Sequence, residues 1–355
     1  MDTLIDAPRL RGFMERAFRA EGFDAREAAQ IADVLMQADL FAIESHGAQR
    51  MMYYHRNIAS GSVAVGAQAE VLRETPVSAL LDGRFAMGQL TARRAMAMAI
   101  EKAKASGVGM VAVRNSSHYG IAGYYTLMAE REGLAAFSMT NTGPIMVPTF
   151  GREMMLGTNP MAFCMPADPV PFWFDASTTV VMLGKVEVCQ KRGRPMPQGW
   201  TIGPDGAPCT DASRMNASIL AGERGGILPL GGEGETHGGH KGYGLGIMVE
   251  ALTGVLAQGM TSPQMCGAHG DHTCHFLLAF DPAMFGDPAD IRARMSAYLA
   301  ALRASEKMPG CARIYTPGEK AFEAMARRLR EGVPVEENTL AEVRQIAGEL
   351  GVEGI

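Results

Sequence analysis

A histidine and an arginine four positions apart are the first residues of the chain whose types suggest chemistry. His46 follows Ser45 in the polar run 44–47, and Arg50 comes four residues after His46. An imidazole exchanges protons near neutral pH, and a guanidinium binds a carboxylate through two parallel hydrogen bonds. If the segment is helical, both side chains share one face and can hold adjacent groups of one small acid. The competing interpretation is a helix N-cap at Ser45 followed by an incidental surface histidine and arginine.

Glycines cluster before a long apolar segment in the second half of the chain. Gly238, Gly239 and Gly242 surround Lys241 at this point. Glycine permits close approach of the backbone, and a helix that begins here favours an anion at its N-terminus. The simpler interpretation is a glycine-rich loop that turns into a helix. Because the segment 241–258 has almost no polar face, it is expected to form one long buried helix.

A group of cysteines and histidines raises the question of a metal site. Cys266, His269, His272 and Cys274 follow the spacing C-x2-H-x2-H-x-C, and His275 comes next. This spacing can wrap a zinc ion. However, His275 begins a predicted strand, in which neighbouring side chains point to opposite faces, so it turns away from Cys274. Borderline cysteine and histidine spacing is weakly specific, and we predict no metal site.

The composition is that of an ordinary globular protein. Its 355 residues are 47% hydrophobic, which allows a large core and about two domains. A net charge of −5 without a basic run argues against nucleic acid or an anionic membrane as a partner. Six cysteines without a C-x-x-C pair, the lack of an N-terminal signal segment and the lack of a long apolar run predict a cytoplasmic protein.

Hydrophobic periodicity predicts an α+β fold with helical regions at both ends of the chain. Helices are expected in the first sixty or so residues, where Asp24 and Glu27 form a capping box. The predicted strands are 78–81, 108–113, 134–140 and 274–281, and the later predicted helices are 92–100, 121–131, 241–258, 289–305, 317–330 and 339–350. Few helices are expected between 141 and 240. There is neither a G-x-G-x-x-G after the first strand nor a P-loop, so the sequence does not predict a Rossmann fold.

Six motifs occur together in this order and at these separations in one set of enzymes. They are Glu44-Ser45-His46-Gly47 with Arg50, Asn115-Ser116-Ser117-His118-Tyr119-Gly120, Gly157-Thr158-Asn159-Pro160, Asp175-Ala176-Ser177-Thr178, Gly238-Gly239-His240-Lys241-Gly242-Tyr243-Gly244 and Tyr315-Thr316-Pro317-Gly318-Glu319. Over roughly residues 5–350 the chain resembles the type-2 malate/L-lactate dehydrogenase family. That family also includes sulfolactate, ureidoglycolate and diketogulonate oxidoreductases and some cyclic-imine reductases.

The resemblance implies a nicotinamide-binding fold unrelated to the Rossmann fold. It implies a helical domain built from both termini (1–75 and 288–355), a central α+β cofactor-binding domain (76–287) and a homodimer with the site near the subunit interface. The expected cofactor is NAD or NADP, and the expected reaction interconverts a small 2-hydroxy acid and its 2-oxo acid, with malate or L-lactate first. The alternatives are ureidoglycolate or sulfolactate dehydrogenation, cyclic-imine (ketimine) reduction, and a non-catalytic protein that senses cofactor or metabolite.

The resemblance also implies roles for individual residues. In several branches the residue matching His46 is the proton donor and the one matching Arg50 binds the carboxylate, whereas in other branches the residue matching His118 is the acid–base group. His118 otherwise reads as a loop histidine bonded to backbone. Thr158 and Asn159 are expected at the substrate. The residues expected at the cofactor are His118, Tyr119, Gly120, Thr142, Asp175, Ala176, Ser177, Lys241, Gly242, Pro317, Gly318 and Glu319.

One departure from the family pattern bears on the reaction. The imine-reductase branch is described with a Ser-His-Asp relay, of which Ser45 and His46 match the first two members. Where the acid would stand, this chain has Gly184 and Lys185. We therefore expect a dehydrogenase rather than an imine reductase, in which Lys185 adds a cation for a dicarboxylate such as malate.

Overall fold

The computed structural model describes residues 2–265 and 272–355. The strands within these ranges are β1 (Thr3–Ile5), β2 (Glu70–Glu74), β3 (Ser78–Asp82), β4 (Val108–Ser116), β5 (Ala135–Thr140), β6 (Met161–Met165), β7 (Phe172–Ala176), β8 (Thr201–Ile202), β9 (Pro208–Cys209), β10 (Gly226–Ile227), β11 (Thr273–Phe280) and β12 (Val333–Val335). The α-helices are α1 (Ala7–Ala20), α2 (Ala25–Leu40), α3 (Met51–Ala59), α4 (Gly88–Ser106), α5 (Ala122–Glu130), α6 (Leu183–Lys191), α7 (Ala212–Leu220), α8 (Gly239–Glu250), α9 (Pro288–Ala304), α10 (Glu319–Glu331) and α11 (Glu337–Leu350).

A seven-stranded mixed sheet lies at the centre of the fold, in the order β2-β3-β4-β11-β5-β6-β7. Strands β3 and β4 are parallel, and α4 supplies the crossover that a parallel pair requires. The other neighbouring pairs are antiparallel. Both β4 and β5 pair with β11 and therefore run in the same direction, as does β7 beyond β6. Their carboxyl ends meet at one edge of the sheet, which brings together the segments that follow each strand.

Each face of the sheet is covered by a different part of the chain. Helices α4 and α5 bury one face through residues such as Ala95, Met96 and Tyr125. The other face is covered by the region after residue 239, where Val249 and Ala257 pack against residues of β4, β5 and β11. Apart from 241–258, the predicted helices of the middle and C-terminal regions are present and agree to within two residues, except that α4 starts four residues earlier and ends six residues later than predicted.

The segment 241–258 is two elements rather than one helix. Helix α8 ends at Glu250, and a π-helix follows at Ala251–Val255. The prediction of complete burial is wrong, because the sheet covers only one side of a segment that is apolar all round. Four of its apolar residues are 40% to 62% exposed, namely Ile247, Met248, Val255 and Leu256. In the described ranges no helix, this one included, is long and apolar enough to cross a membrane.

The two ends of the chain pack together. Strand β1 pairs with β12, and Thr3 faces Val335 in the register. Apolar residues of α1, α2 and α3 form one buried cluster with those of α11, among them Phe13 and Ile346. Helix α9 is held elsewhere, because the Arg292 guanidinium donates two hydrogen bonds to the Asp168 carboxylate after β6. The domain limits at 75 and 287 stay predictions.

His55 links α3 to both ends of this helical region. Its Nδ1 contacts the Glu21 carboxylate, and its Nε2 lies 2.8 Å from Oε2 of Glu349 on α11. Burial acts to lower the pKa of His55, but the two carboxylates outweigh it and raise that pKa above 6.5. The imidazolium therefore strengthens the junction between the termini.

The substitution His55→Gln is expected to weaken the pH dependence of thermal stability above about pH 6.5. A group whose pKa is higher in the folded state contributes its full stabilisation at pH values below its unfolded-state pKa. This contribution is lost as the pH rises through the folded-state pKa. The effect should be small, about 2 °C in Tm, because Glu349 is half exposed and solvent screens the pair. Tm measured at about pH 6 and about pH 8 should fall more for the wild type than for the variant. An equal fall in both proteins would contradict the assignment.

Candidate active site

A cavity of about 1170 Å³ opens beside the carboxyl ends of β4, β5 and β7. Most of the residues that the motifs predict line it together: Ser45, His46, Arg50, His118, Gly120, Thr142, Thr158, Asp175, Ala176 and Ser177. Drug-sized ligands occupy pockets of about 300–1000 Å³, so this cavity has room for a ligand larger than a small acid alone. The shared direction of the three strands is the reason that motifs separated by up to about 130 residues meet here.

The segment that carries Ser45, His46 and Arg50 is not the single helix that the spacing suggested. Two 3-10 turns, Glu44–His46 and Ala48–Arg50, lie on either side of Gly47. The Ser45 hydroxyl lies 2.9 Å from Nδ1 of His46, and Arg50 donates from Nε to the Ser45 carbonyl oxygen at 3.1 Å. These contacts orient the imidazole and the guanidinium toward the same cavity.

A buried carboxyl group beneath this segment fixes its path. Asp39 of α2 accepts a hydrogen bond from the Ala48 N–H at 2.8 Å. A Cβ atom at Gly47 would lie 1.9 Å from the Asp39 carboxyl, so only glycine allows this approach. Arg328 of α10 donates to the Asp39 carbonyl oxygen and to the Glu44 carboxylate. The C-terminal region thus takes part in positioning His46 and Arg50.

The substitution Asp39→Asn is expected to make the protein more stable above about pH 7. Burial raises the pKa of Asp39 from 3.8 to about 7, although the Ala48 N–H opposes the shift. With a raised folded-state pKa, wild-type stability falls as the pH rises from about 4 to about 7. Asparagine keeps an acceptor for Ala48 without a charge. Relative to the wild type, the variant's free energy of unfolding should therefore be higher at about pH 8 than at about pH 5, by on the order of 1 kcal/mol or more.

Chemical unfolding at the two pH values measures this difference. Asp33→Asn on the same helix is the control, because Asp33 pairs with Arg11 at 2.8 Å and its loss should bring no gain at high pH. If the free energy of unfolding depends on pH in the same way in the wild type and in Asp39→Asn, the prediction is wrong.

His118 stands opposite His46 across a short gap. The two rings are stacked with their centroids 5.5 Å apart, and the Tyr54 hydroxyl lies 2.7 Å from Nδ1 of His118. Burial lowers the pKa of His46 to about 3, with Arg50 adding to the shift. Burial also lowers the pKa of His118 well below 6.5, with His46 and Arg50 contributing. Both imidazoles are therefore neutral in the free protein at pH 7.

Asn159 does not line the cavity, although it was predicted at the substrate. It is fully buried, and its amide nitrogen donates to the Gly246 carbonyl oxygen and to Glu250, both at 3.1 Å. Its amide oxygen accepts from the Thr142 N–H at 3.2 Å. Both polar atoms are occupied by protein, so Asn159 ties the cavity wall at Thr142 to α8.

Glu250 is the centre of this connection. Its carboxylate accepts hydrogen bonds from the Asn141 and Asn159 amides and from the Ser262 N–H and hydroxyl. The Ser262 hydroxyl oxygen also lies 2.6 Å from the Thr142 carbonyl oxygen and accepts from the Gly157 N–H at 2.9 Å. These four donors satisfy the oxygens of a carboxylate that is buried in the protein. It holds the loops after β5 and before β6 in place.

Tyr119 also lies away from the cavity, in the core. Its ring stacks on His275 with centroids 4.5 Å apart and an angle of 7° between planes. The nitrogens of His275 lie 2.8 Å from the Thr140 and Ser116 hydroxyls, so His275 is satisfied without a metal. Of the residues weighed as metal ligands, Cys266 and His269 lie outside the described residues. Among the described ones, no three metal-binding side chains form a group.

Asp175 and the segment 315–319 are neighbours at the end of β7. The Asp175 carboxylate accepts from the Gly123 N–H at 2.7 Å, and burial raises its pKa to about 6. A Cβ atom at Gly318 would lie 3.1 Å from Trp173, two residues before Asp175. Pro317, Gly318 and Glu319 are not among the residues lining the cavity, and the Glu319 carboxylate accepts from the Thr316 N–H and two arginines. Their predicted cofactor contact stays a prediction.

The glycine-rich start of α8 lies behind the cavity wall. Lys241 is exposed and does not line the cavity. Gly242 is buried, and a Cβ atom there would lie 2.2 Å from the Leu230 carbonyl oxygen. Leu230 in turn donates its N–H to the carbonyl oxygen of Thr178, directly after Ser177. The close approach at Gly242 therefore supports the wall at Ser177, while the predicted cofactor contact of Lys241 stays untested.

Comparison with known proteins now identifies the family. Residues 5–344 match the family model described as malate/L-lactate dehydrogenase. The chain belongs to this family.

Two curated members of the malate/L-lactate dehydrogenase family and one solved structure are informative. A malate dehydrogenase of Pyrococcus abyssi is 42% identical over 353 residues, which cover 99% of this chain and 96% of the relative. A malate/(S)-sulfolactate dehydrogenase of Methanothermus fervidus is 31% identical over 99% of both chains. The crystal structure of malate dehydrogenase from Entamoeba histolytica superposes with a TM-score of 0.96 at 32% identity and covers 99% of both chains.

Several residues that shape the site of this family member were not predicted from its sequence. Asp39 and Glu250 are carboxylates inside apolar helical runs, and that position is the available signal for a buried acid. Tyr53 and Tyr54 follow Arg50 at helical spacing, which places one under the Arg50 guanidinium and the other against His118. Arg328 had no signal, because its partners are nearly 290 residues away in sequence.

Proposed function

We propose that this protein is a nicotinamide-dependent dehydrogenase of small 2-hydroxy acids, with malate and oxaloacetate as the leading pair. The observation that carries the proposal is the presence of two neutral imidazoles and one guanidinium on the wall of one cavity. The guanidinium binds the carboxylate of the acid, and an imidazole exchanges a proton with the oxygen on the adjacent carbon. The names of the relatives support the same reaction class.

The cavity suits a nicotinamide dinucleotide in size and in the chemistry of its walls. Beyond the histidines, polar groups of Thr142, Thr158 and Ser177 and the buried carboxyl of Asp175 face it. A nicotinamide bound here would accept or supply the hydride at the reacting carbon. We propose NAD or NADP as this cofactor, held on a sheet that is antiparallel over most of its width rather than on a Rossmann fold. Arg50 and the imidazoles keep the acid oriented beside it.

The two directions of the reaction should respond differently to pH. Oxidation of malate needs a neutral imidazole to accept the hydroxyl proton, and reduction of oxaloacetate needs an imidazolium. Because the pKa of His46 is lowered to about 3, kcat/KM for oxidation should be flat across neutral pH. For reduction, kcat/KM should fall about tenfold for each pH unit. Initial rates at saturating cofactor measure both profiles. An inflection near pH 6.5 in both directions would contradict a buried, neutral acid–base histidine.

A spectrophotometric panel tests the proposed function itself. NADH and NADPH are each combined with oxaloacetate, pyruvate, sulfopyruvate, the 2-oxo acid of ureidoglycolate and a cyclic imine. Oxidation of cofactor with one or more 2-oxo acids supports the proposal, and comparison of the two cofactors identifies the nucleotide. Turnover confined to the imine would replace the proposal by imine reduction. Tight cofactor binding without any turnover would favour a sensor instead.

We also propose that the protein acts as a homodimer. The exposed residues Ile247, Met248, Val255 and Leu256 form an apolar surface on α8 and the turns after it, and contiguous surfaces of this kind mark association sites. Val255→Glu should convert the dimer to a monomer in light scattering after gel filtration. Leu220→Glu on α7, at a residue that is 89% exposed, is the control and should leave the mass unchanged. A wild type that is a monomer would refute the proposal.

A further inference from the structure

One cation of the cavity has no role in the chemistry above. Lys185 lies in the first turn of α6 and is one of the residues that line the cavity together with His46 and Arg50. Helix α6 reaches this wall because Gly184 packs directly on Ser45. A Cβ atom at Gly184 would lie 3.3 Å from the Ser45 Cβ, a tight contact that favours glycine at this position.

Ser45 is the common neighbour of three functional groups. Its carbonyl oxygen accepts from Arg50 Nε at 3.1 Å, and its hydroxyl lies 2.9 Å from His46 Nδ1. Its Cβ faces Gly184, which immediately precedes Lys185. Two cations and one imidazole are therefore anchored around a single residue. An acid bound at His46 therefore has two cations, Arg50 and Lys185, on the wall of the same cavity.

The charges of Arg50 and Lys185 are not compensated by the protein. In residues 2–265 and 272–355, no carboxylate oxygen lies within 4.0 Å of either cationic group. Arg224, which also lines the cavity, differs because it lies 3.6 Å from the Glu153 carboxylate. The carboxylate of Glu44, the residue before Ser45, is paired with Arg328. The cavity thus has two cations available for a ligand with two anionic groups.

We propose that Lys185 binds the second anionic group of the substrate and so selects diacids over monoacids. The inference rests on the proposed function, in which Arg50 binds the carboxylate next to the reacting carbon. An ammonium group donates in several directions as a compact charge, so it accepts a terminal carboxylate or a terminal sulfonate. A substrate that ends in a methyl group leaves Lys185 without a partner and gains no charge-assisted hydrogen bond.

The test compares two acids that differ only at this end. Oxaloacetate carries a second carboxylate where 2-oxobutyrate carries a methyl group. In Lys185→Met, the ratio of kcat/KM for oxaloacetate to that for 2-oxobutyrate should fall by about 10- to 100-fold, mainly through a higher KM for oxaloacetate. Activity with 2-oxobutyrate should be unchanged, which excludes a general loss of structure. Lys185→Gln is a second variant, which keeps a polar side chain at this exposed position and should show the same fall in the ratio.

Lys191 supplies a matched control on the same helix. It is exposed at the other end of α6 and lines a separate cavity of about 330 Å³. Lys191→Met should leave the ratio of the two acids unchanged. If the wild type reduces 2-oxo acids but both Lys185 variants keep its ratio, the role of Lys185 is refuted and the proposed function stands. If the wild type reduces no 2-oxo acid, the proposed function is refuted and this inference with it.

Discussion

Replacing His46 with glutamine is expected to lower kcat by about 10²- to 10⁴-fold, the range supplied by a positioned general acid or base. His46 lines the cavity beside Arg50, and after burial the Arg50 charge is the next cause of its lowered pKa. His46 and Arg50 also both contact Ser45, whereas Nδ1 of His118 lies against the Tyr54 hydroxyl. We therefore expect His46 to respond more directly than His118 to a carboxylate bound at Arg50. Steady-state kcat in both directions measures the loss.

Partner substitutions separate the two histidines. Ser45→Ala removes the hydroxyl beside Nδ1 of His46, and Tyr54→Phe removes the one beside Nδ1 of His118. If His46 exchanges the proton, Ser45→Ala should lower kcat by a few-fold to about tenfold, the value of one hydrogen bond, while Tyr54→Phe changes it less. Cofactor binding, followed by fluorescence, should be retained in His46→Gln. A large loss in His118→Gln beside an active His46→Gln would assign the proton transfer to His118.

Replacing Arg50 with glutamine is expected to lower kcat/KM for the acid by about 30- to 1000-fold, which corresponds to about 2–4 kcal/mol for a hydrogen-bonded charge pair. The Arg50 guanidinium lies over the Tyr53 ring at 5.5 Å, and among the residues that the structure describes its one hydrogen bond runs from Nε to Ser45. Its terminal nitrogens thus remain for a carboxylate. The loss should appear mainly in KM, and cofactor affinity should not change.

Arg50→Lys distinguishes charge from geometry. Lysine keeps the positive charge but lacks the planar pair of donors, so it should recover only part of the activity. Arg56→Gln on the exposed side of α3 is the control and should behave as the wild type. Full activity in Arg50→Gln would place the carboxylate elsewhere in the cavity.

Much of the site was predictable because the signals are local. Hydrophobic period and turn residues predicted β4, β5 and most helices, and the six motifs lie at or near the ends of helices and strands. Once three strands run in one direction, the segments after them must meet at one edge. His46, Arg50, His118, Thr142 and Asp175 therefore lie together as the motifs predicted.

The sequence by itself determined which residue types are present for proton transfer and carboxylate binding, and most of the helices and strands around them. Only the tertiary structure decided that Asn159 and Tyr119 make contacts inside the protein rather than in the cavity, and that α8 has an exposed apolar side. Asp39, Gly47 and Arg328 fit together through a contact across nearly 290 residues. Periodicity records how a segment folds against its own neighbours, whereas close packing between distant segments depends on the shapes of both surfaces.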